Sequence, residues 1–144
     1  MTQPGFIPPA QLPETAVQVM NHKAALSPAT SFVLVILAGA FIAFAAEGSN
    51  MAAFNLLGNP ETYGLGKMVA GIVFPTGLML VLVAGAELFT GNTMMLISVL
   101  ERQVSVGKLL GNWVTVYLGN LVGALLVAGV YWFAYRPRRA AEQR

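Results

Sequence analysis

The stretch Gly-Ala-Glu-Leu-Phe-Thr-Gly-Asn-Thr-Met-Met, GAELFTGNTMM at residues 85–95, decides how this chain folds. It lies inside residues 68–100, an apolar run that carries one charge, Glu87. As a continuous helix that run would be about 50 Å long, against about 30 Å for the hydrocarbon core of a bilayer. A break is therefore expected, and Gly85 and Gly91 lower helix propensity while Thr90, Asn92 and Thr93 offer the backbone other hydrogen-bond partners. Pro75 adds an earlier kink. The alternative is one complete span over 68–88 followed by an interfacial helix over 89–100.

Working outward, the whole chain reads as membrane-embedded. Of its 144 residues 56% are hydrophobic and only 10% charged, with a mean hydropathy of +0.68, which does not suit a soluble domain of this size. No charge falls in 24–46, 68–86 or 109–135, and each run is near the length of a spanning helix. Three spans follow, at about 32–53, 68–100 (interrupted near 85–93) and 109–135, within a membrane domain over 32–135. Residues 1–31 form an N-terminal tail in which PETAVQVMNHKAAL places Ala16, Val17, Met20 and Ala24 on one face of a short interfacial helix. Glu14 in its first turn and Lys23 near its last suit the helix dipole. The start, MTQPGFIPPAQLPE, lacks the basic and apolar regions of a cleavable signal, so the N-terminus is expected to be retained. Residues 56–67 carry the Asn-Pro and Gly signals of a loop, and 136–144 form a basic tail.

Small residues mark where helices meet. Gly39 and Ala43 share a face with Glu47 on the first span, and Gly111, Thr115, Gly119 and Gly123 recur every four residues on the third. Asn112 and Asn120 lie on the same side as that seam, where helix–helix hydrogen bonds and solute contact explain them equally well. Glu87 and Glu47 are intramembrane carboxylates, functional candidates because an acidic residue at mid-span costs on the order of 3 kcal/mol. Glu87 has a structural alternative, accepting loose N–H groups of the broken turn, and Glu47 sits close to a span end. Bare backbone groups in lipid cost several kcal/mol, so a broken span signals a pore or binding site. It also aims the positive end of a half-helix into the membrane, which favours an anionic permeant.

Other functions find little support. There is no cysteine and a single histidine, His22, outside all three runs, so neither a metal site nor a redox cofactor is expected. No Ser-His-Asp set, phosphate loop or catalytic carboxylate pair occurs, which leaves an enzyme nothing to stand on. The pI of 9.2 comes without a basic patch interleaved with aromatics, so nucleic acid is not an expected partner; membrane lipid is.

These residues resemble the formate/nitrite transporter family. GAELFTGNTMM followed by GNWVTVYLGNLVGALL at 111–126, with KAALSPATSFVLVILAGAFIAFA before them, carries the similarity, over roughly residues 14–133. The resemblance implies an all-α integral membrane protein whose three spans form one inverted repeat of an aquaporin-like six-span fold, assembled as a homo-pentamer with a pore in each protomer. It implies pore roles for Phe74 and Leu78, narrowing the cytoplasmic side, and for Leu88, Phe89 and Thr90 at the central constriction. Glu87, Asn92, Asn112 and Asn120 then support the loop, and Gly39, Ala43, Gly111, Gly119 and Gly123 pack helices. The implied permeant is a small monovalent anion, formate by default, with nitrite or hydrosulfide as relatives.

The family's pore histidine and a vestibule base belong to later spans that this chain does not supply, so it looks like a first half, a truncated member. A non-transporting membrane anchor or assembly subunit is the alternative. The expected location is the cell inner (cytoplasmic) membrane with the N-terminus cytoplasmic. Charge opposes that orientation: Lys23, Arg102 and Lys108 face Lys67, Arg136, Arg138, Arg139 and Arg144, three against five. Without the basic tail the count reverses to three against one.

Overall fold

Pro28, at the first position of the longest early helix, has no N–H to waste, and Ser27 before it caps the turn by accepting the Thr30 N–H at 3.2 Å. In the computed structural model, which describes Gly5 and residues 7–142 with side chains up to Tyr135, this helix is α2, Pro28–Leu57. It follows a 3₁₀ turn, Pro9–Gln11, and α1, Leu12–Ala24. Then come α3, Tyr63–Val73; α4, Pro75–Ala84; α5, Phe89–Asn92; α6, Met95–Leu100; and α7, Val106–Glu142. The described residues contain no strand. Three stretches are long and apolar enough to cross a membrane: Pro28–Leu57, Tyr63–Ala84 and Val106–Tyr135. The side chains of 136–144, on which the charge count turned, lie outside the described residues, as do residues 1–4 and 6.

The second span starts at Tyr63, earlier than the glycines of YGLG suggested. Gly66 is buried there because a Cβ would meet Leu56 and Leu57 of α2 at 3.0 Å, so this glycine serves close packing rather than a turn. The loop shrinks to residues 58–62, stapled by the Thr62 hydroxyl donating to Leu56 O at 2.9 Å. Pro75 interrupts the span without ending it, since Phe74 keeps helical dihedrals. The Gly77 N–H turns to Phe74 O, and the Val73 carbonyl it would ordinarily reach accepts the Thr76 hydroxyl at 2.8 Å.

The real end comes at Gly85, whose φ of +62° is left-handed. The Ala86 N–H bonds Val81 O and the Gly85 N–H bonds Leu82 O, the paired bonds of a Schellman stop. A residue with a Cβ would be strained there.

The helix α7 crosses α2 at very close range. A Cβ on Gly39 would overlap the Asn120 backbone, one on Gly123 the Ile36 carbonyl, and one on Gly119 the Val35 side chain. On the other side of α2, Gly77 of α4 lies against Ala45 and the Phe41 carbonyl. Small residues let backbones approach in lipid, where no hydrophobic drive pushes helices together. The close seam begins only at Gly119: Gly111 has nothing within 4 Å of a built Cβ, and Ala43 is half-buried. The outward faces carry large apolar side chains such as Phe32, Leu82, Val83 and Phe133, as a lipid-facing surface requires.

The seam makes a prediction. Gly123→Ala should lower the thermal midpoint of the detergent-solubilised chain, because the obstructing atoms are backbone. Gly129→Ala, with open space around it, should leave the midpoint unchanged or raise it, since alanine in a helix interior is more stable than glycine by ~0.5–1 kcal/mol. Circular dichroism melts read both, and equal midpoints for Gly123→Ala and the parent would contradict the geometry.

Candidate functional site

Between Gly85 and Phe89 the chain is not helical, and its polar backbone groups find partners on other helices. The Glu87 N–H donates to Leu34 O of α2 at 3.2 Å. Asn120 of α7 does most of the remaining work: its Oδ1 accepts the Phe89 N–H at 2.9 Å, while its Nδ2 donates to Glu87 O at 2.9 Å and Val35 O at 2.7 Å. One carboxamide thus ties the break to both long helices. Asn120 lies fourteen residues in from Val106, about 21 Å along α7. The break is therefore deep in the bundle, not at its edge.

A second, ionic layer sits beside it. Glu87 is 2% exposed, and Lys23 of α1, at 20%, reaches it with Nζ–Oε1 at 2.7 Å. Lys23 also donates to Asn92 Oδ1 at 3.1 Å. The Asn92 amide donates to Glu87 Oε2 at 2.6 Å and to Asn112 Oδ1 at 3.0 Å, and the Trp113 indole N–H donates to Asn92 O at 3.0 Å. Glu87, Asn92 and Asn112 thus share one network, with both carboxylate oxygens satisfied by side chains rather than by loose backbone N–H groups.

Lys23 was missed by sequence reasoning, which assigned it to the dipole of α1. An intramembrane carboxylate calls for a cation, but nothing in the sequence selects Lys23 over Lys67 or Lys108. What selects it is the packing of α1 on α6, where Met20, Met95, Val104 and Leu109 form a buried cluster.

On the opposite side of the break lies an open groove of about 550 Å³. Phe74 and Leu78 line it from the second span, and Leu88, Phe89 and Thr90 from the break. The facing wall comes from α7 through Tyr117, Asn120, Leu121 and Ala124, and from α2 through Gly39 and Ile42. Apart from Thr90, Tyr117 and Asn120 the lining is apolar, and Asn120 is already engaged with the loop. The Thr90 hydroxyl has no partner among the described residues and is free to meet a solute. The α7 lining residues were also missed; Tyr117, Leu121 and Ala124 run at helical spacing beside the glycine seam, a pattern that signals packing as readily as a groove.

Glu47 does not join this site. It lines a separate cavity of about 370 Å³ with Asn50, Tyr131 and Tyr135 at the far end of α2 and α7. Among the described residues no three His, Asp or Glu side chains are placed to hold a metal ion.

A span interrupted at depth, with its loose groups held by neighbouring helices and its break facing an apolar groove, defines a multi-pass helical membrane protein with a discontinuous second span. The chain belongs to the formate/nitrite transporter family, whose family model matches residues 10–141. It is 36% identical over 135 residues to the formate channel FocA of Haemophilus influenzae, covering 94% of this chain and 47% of the relative. It is 44% identical over 115 residues to a probable formate transporter of Methanothermobacter thermautotrophicus, covering 79% of this chain and 41% of the relative. The formate channel FocA of Escherichia coli K12 is 36% identical over 126 residues, covering 88% and 44%. The chain thus spans less than half the length of these relatives.

The ion pair supplies a test. Lys23→Met leaves a buried carboxylate without its cation and should destabilise the fold by about 3 kcal/mol, the lower end for a buried pair because Lys23 keeps some exposure. Lys23→Met combined with Glu87→Gln, which retains an acceptor for Asn92, should recover most of the loss. Denaturation of the purified chain in detergent measures both, and a double variant no better than Lys23→Met would show that the charge pairing is not the cause.

Proposed function

We propose that this three-span unit forms one wall of a transmembrane path for small monovalent anions, with formate as the default permeant and nitrite or hydrosulfide as alternatives. The observation that carries the reading is that Phe74, Leu78, Leu88, Phe89 and Thr90, drawn from two separate segments, line a single groove at the break. Relatives named formate channel or formate transporter supply the permeant class. Phe74 and Leu78 are nearly half exposed, so a further wall closes the groove in the working assembly. A second three-span unit, with the chains arranged as a pentamer in the cytoplasmic membrane and the N-terminus inside, is the arrangement proposed.

The lining dictates what crosses. An anion loses its hydration in an apolar constriction at a cost of many kcal/mol, and protonation to the neutral acid removes most of that cost. Formate meets the Thr90 hydroxyl as a donor, whereas Leu88 and Phe89 offer it nothing polar. The movement is therefore of the weak acid past the constriction and of the anion on either side. The competing reading, a non-transporting membrane anchor or assembly subunit, is favoured by the open groove alone.

Uptake of formate, nitrite and hydrosulfide into liposomes decides between them, with this chain reconstituted alone and beside a complementary three-span half. Formate flux well above that of empty vesicles is expected in the paired sample; no flux in either sample overturns the transport reading. Because the chain has no cysteine, Thr90→Cys is a clean single reporter. It should react with a small water-soluble thiol reagent in a folded sample, and inertness would remove Thr90 from the path. Cross-linking in membranes gives a discrete pentamer under this reading and a heteromer with an unrelated enzyme under the anchor reading.

A further inference from the structure

The two apolar side chains of the break are held by different helices. Leu88 packs against the cluster of Ala38, Val81 and Ala86, and so belongs to the α2–α4 contact. Phe89 points its ring to α7, where Tyr117 meets it edge-on at 5.7 Å between centroids and 77°, and Trp113 at 6.2 Å and 67°. Both geometries are the T-shaped arrangement that aligns the positive edge of one ring with the negative face of another. Trp113 and Tyr117 are one helical turn apart, so they present their rings side by side. Trp113 is fixed in turn by its bond to Asn92 O, and the Phe89 backbone by Asn120, one turn beyond Tyr117. Of the two aromatic neighbours only Tyr117 lines the groove, and its hydroxyl bonds nothing among the described residues.

We propose that Tyr117, together with Trp113, is the positioning residue for Phe89, so that α7 and not the loop sets the width of the groove at the break. This rests on the reading of the groove as a path for small anions, which it deepens into a size threshold. Tyr117 acts through its ring face and edge, not its hydroxyl. Removing the ring frees Phe89 to swing toward the space vacated, and the groove then admits a larger weak acid.

Two measurements on the full chain separate this from the transport reading. In the first, 4-fluorophenylalanine is introduced at position 89, and at Phe133 as a remote control, and fluorine NMR is recorded in detergent micelles. The parent and Tyr117→Phe should each give one narrow, shifted line from position 89, and Tyr117→Ala a line at the position of the free amino acid, because a Phe89 that stayed in place would keep the shift imposed by Trp113, with the control line constant. A position-89 line in Tyr117→Ala that is unmoved, or only part of the way to the free value, overturns the proposal, as does a shift that Tyr117→Phe shares. In the second, acetate and formate uptake are compared in liposomes that hold the chain with its complementary half. The acetate-to-formate ratio should rise about tenfold in Tyr117→Ala, the lower end of what a methylene-sized change in an apolar site contributes to discrimination, and Tyr117→Phe should keep the parent ratio. An unchanged ratio in Tyr117→Ala with formate flux intact overturns the size threshold. Absence of flux in every version, with the fluorine line moved, refutes transport and supports the positioning role.

Discussion

A helix broken inside a bundle exposes N–H and C=O groups that lipid cannot satisfy, and the Asn120 carboxamide is the point on which this chain resolves that constraint. It is donor and acceptor at once, and it reaches α2 and both sides of the loop. The rest of the structure is arranged so that it can. Gly39 gives Asn120 room at the crossing, since any side chain there would overlap its backbone, and Gly119 and Gly123 bring the two helices close enough for one side chain to bridge them. The Schellman stop at Gly85 releases the chain where Glu87 and Phe89 come level with Asn120.

The charged layer depends on that first one. Once the turn is fixed, Glu87 and Asn92 face the same side, and a buried carboxylate needs a cation and further donors to be tolerated. Lys23 supplies the charge from α1, which gives the amphipathic N-terminal helix a role beyond lying on the surface. Its apolar face packs on α6 and α7 through Met20, and its last turn completes the coordination of the break. The two sides of the loop are thereby specialised, one ionic and saturated, the other apolar with the Thr90 hydroxyl left open.

The legible part of this fold was what hydropathy and length govern. Charge-free runs located three spans, and the length of 68–100 required the interruption that Gly85 makes. Boundaries were less legible where one residue type serves two purposes. The glycines of residues 63–67 read as turn signals, but Gly66 is a packing glycine inside a helix; Gly111 read as part of the packing seam, but meets no neighbour within 4 Å. Within the candidate site, the residues of the break stand next to one another in sequence and could be read together. Lys23, Trp113 and Tyr117 could not, because their relation to the break exists only after α1 and α7 have docked. Asn120 could be singled out as a polar residue on an apolar face, but its three partners could not be named from periodicity.

The partners of the break also impose an order on assembly. Leu34 and Val35 precede the loop, but Asn112, Trp113 and Asn120 follow it by twenty to thirty-three residues. While the chain is being made, the turn leaves the ribosome before the residues that will satisfy it. Until α7 has docked, the Phe89 N–H and the Glu87 carbonyl lack the partner that Asn120 gives them, so the break is complete only once the third span is in place. Closing the second span is thus a long-range event, governed by residues that come after it in the chain.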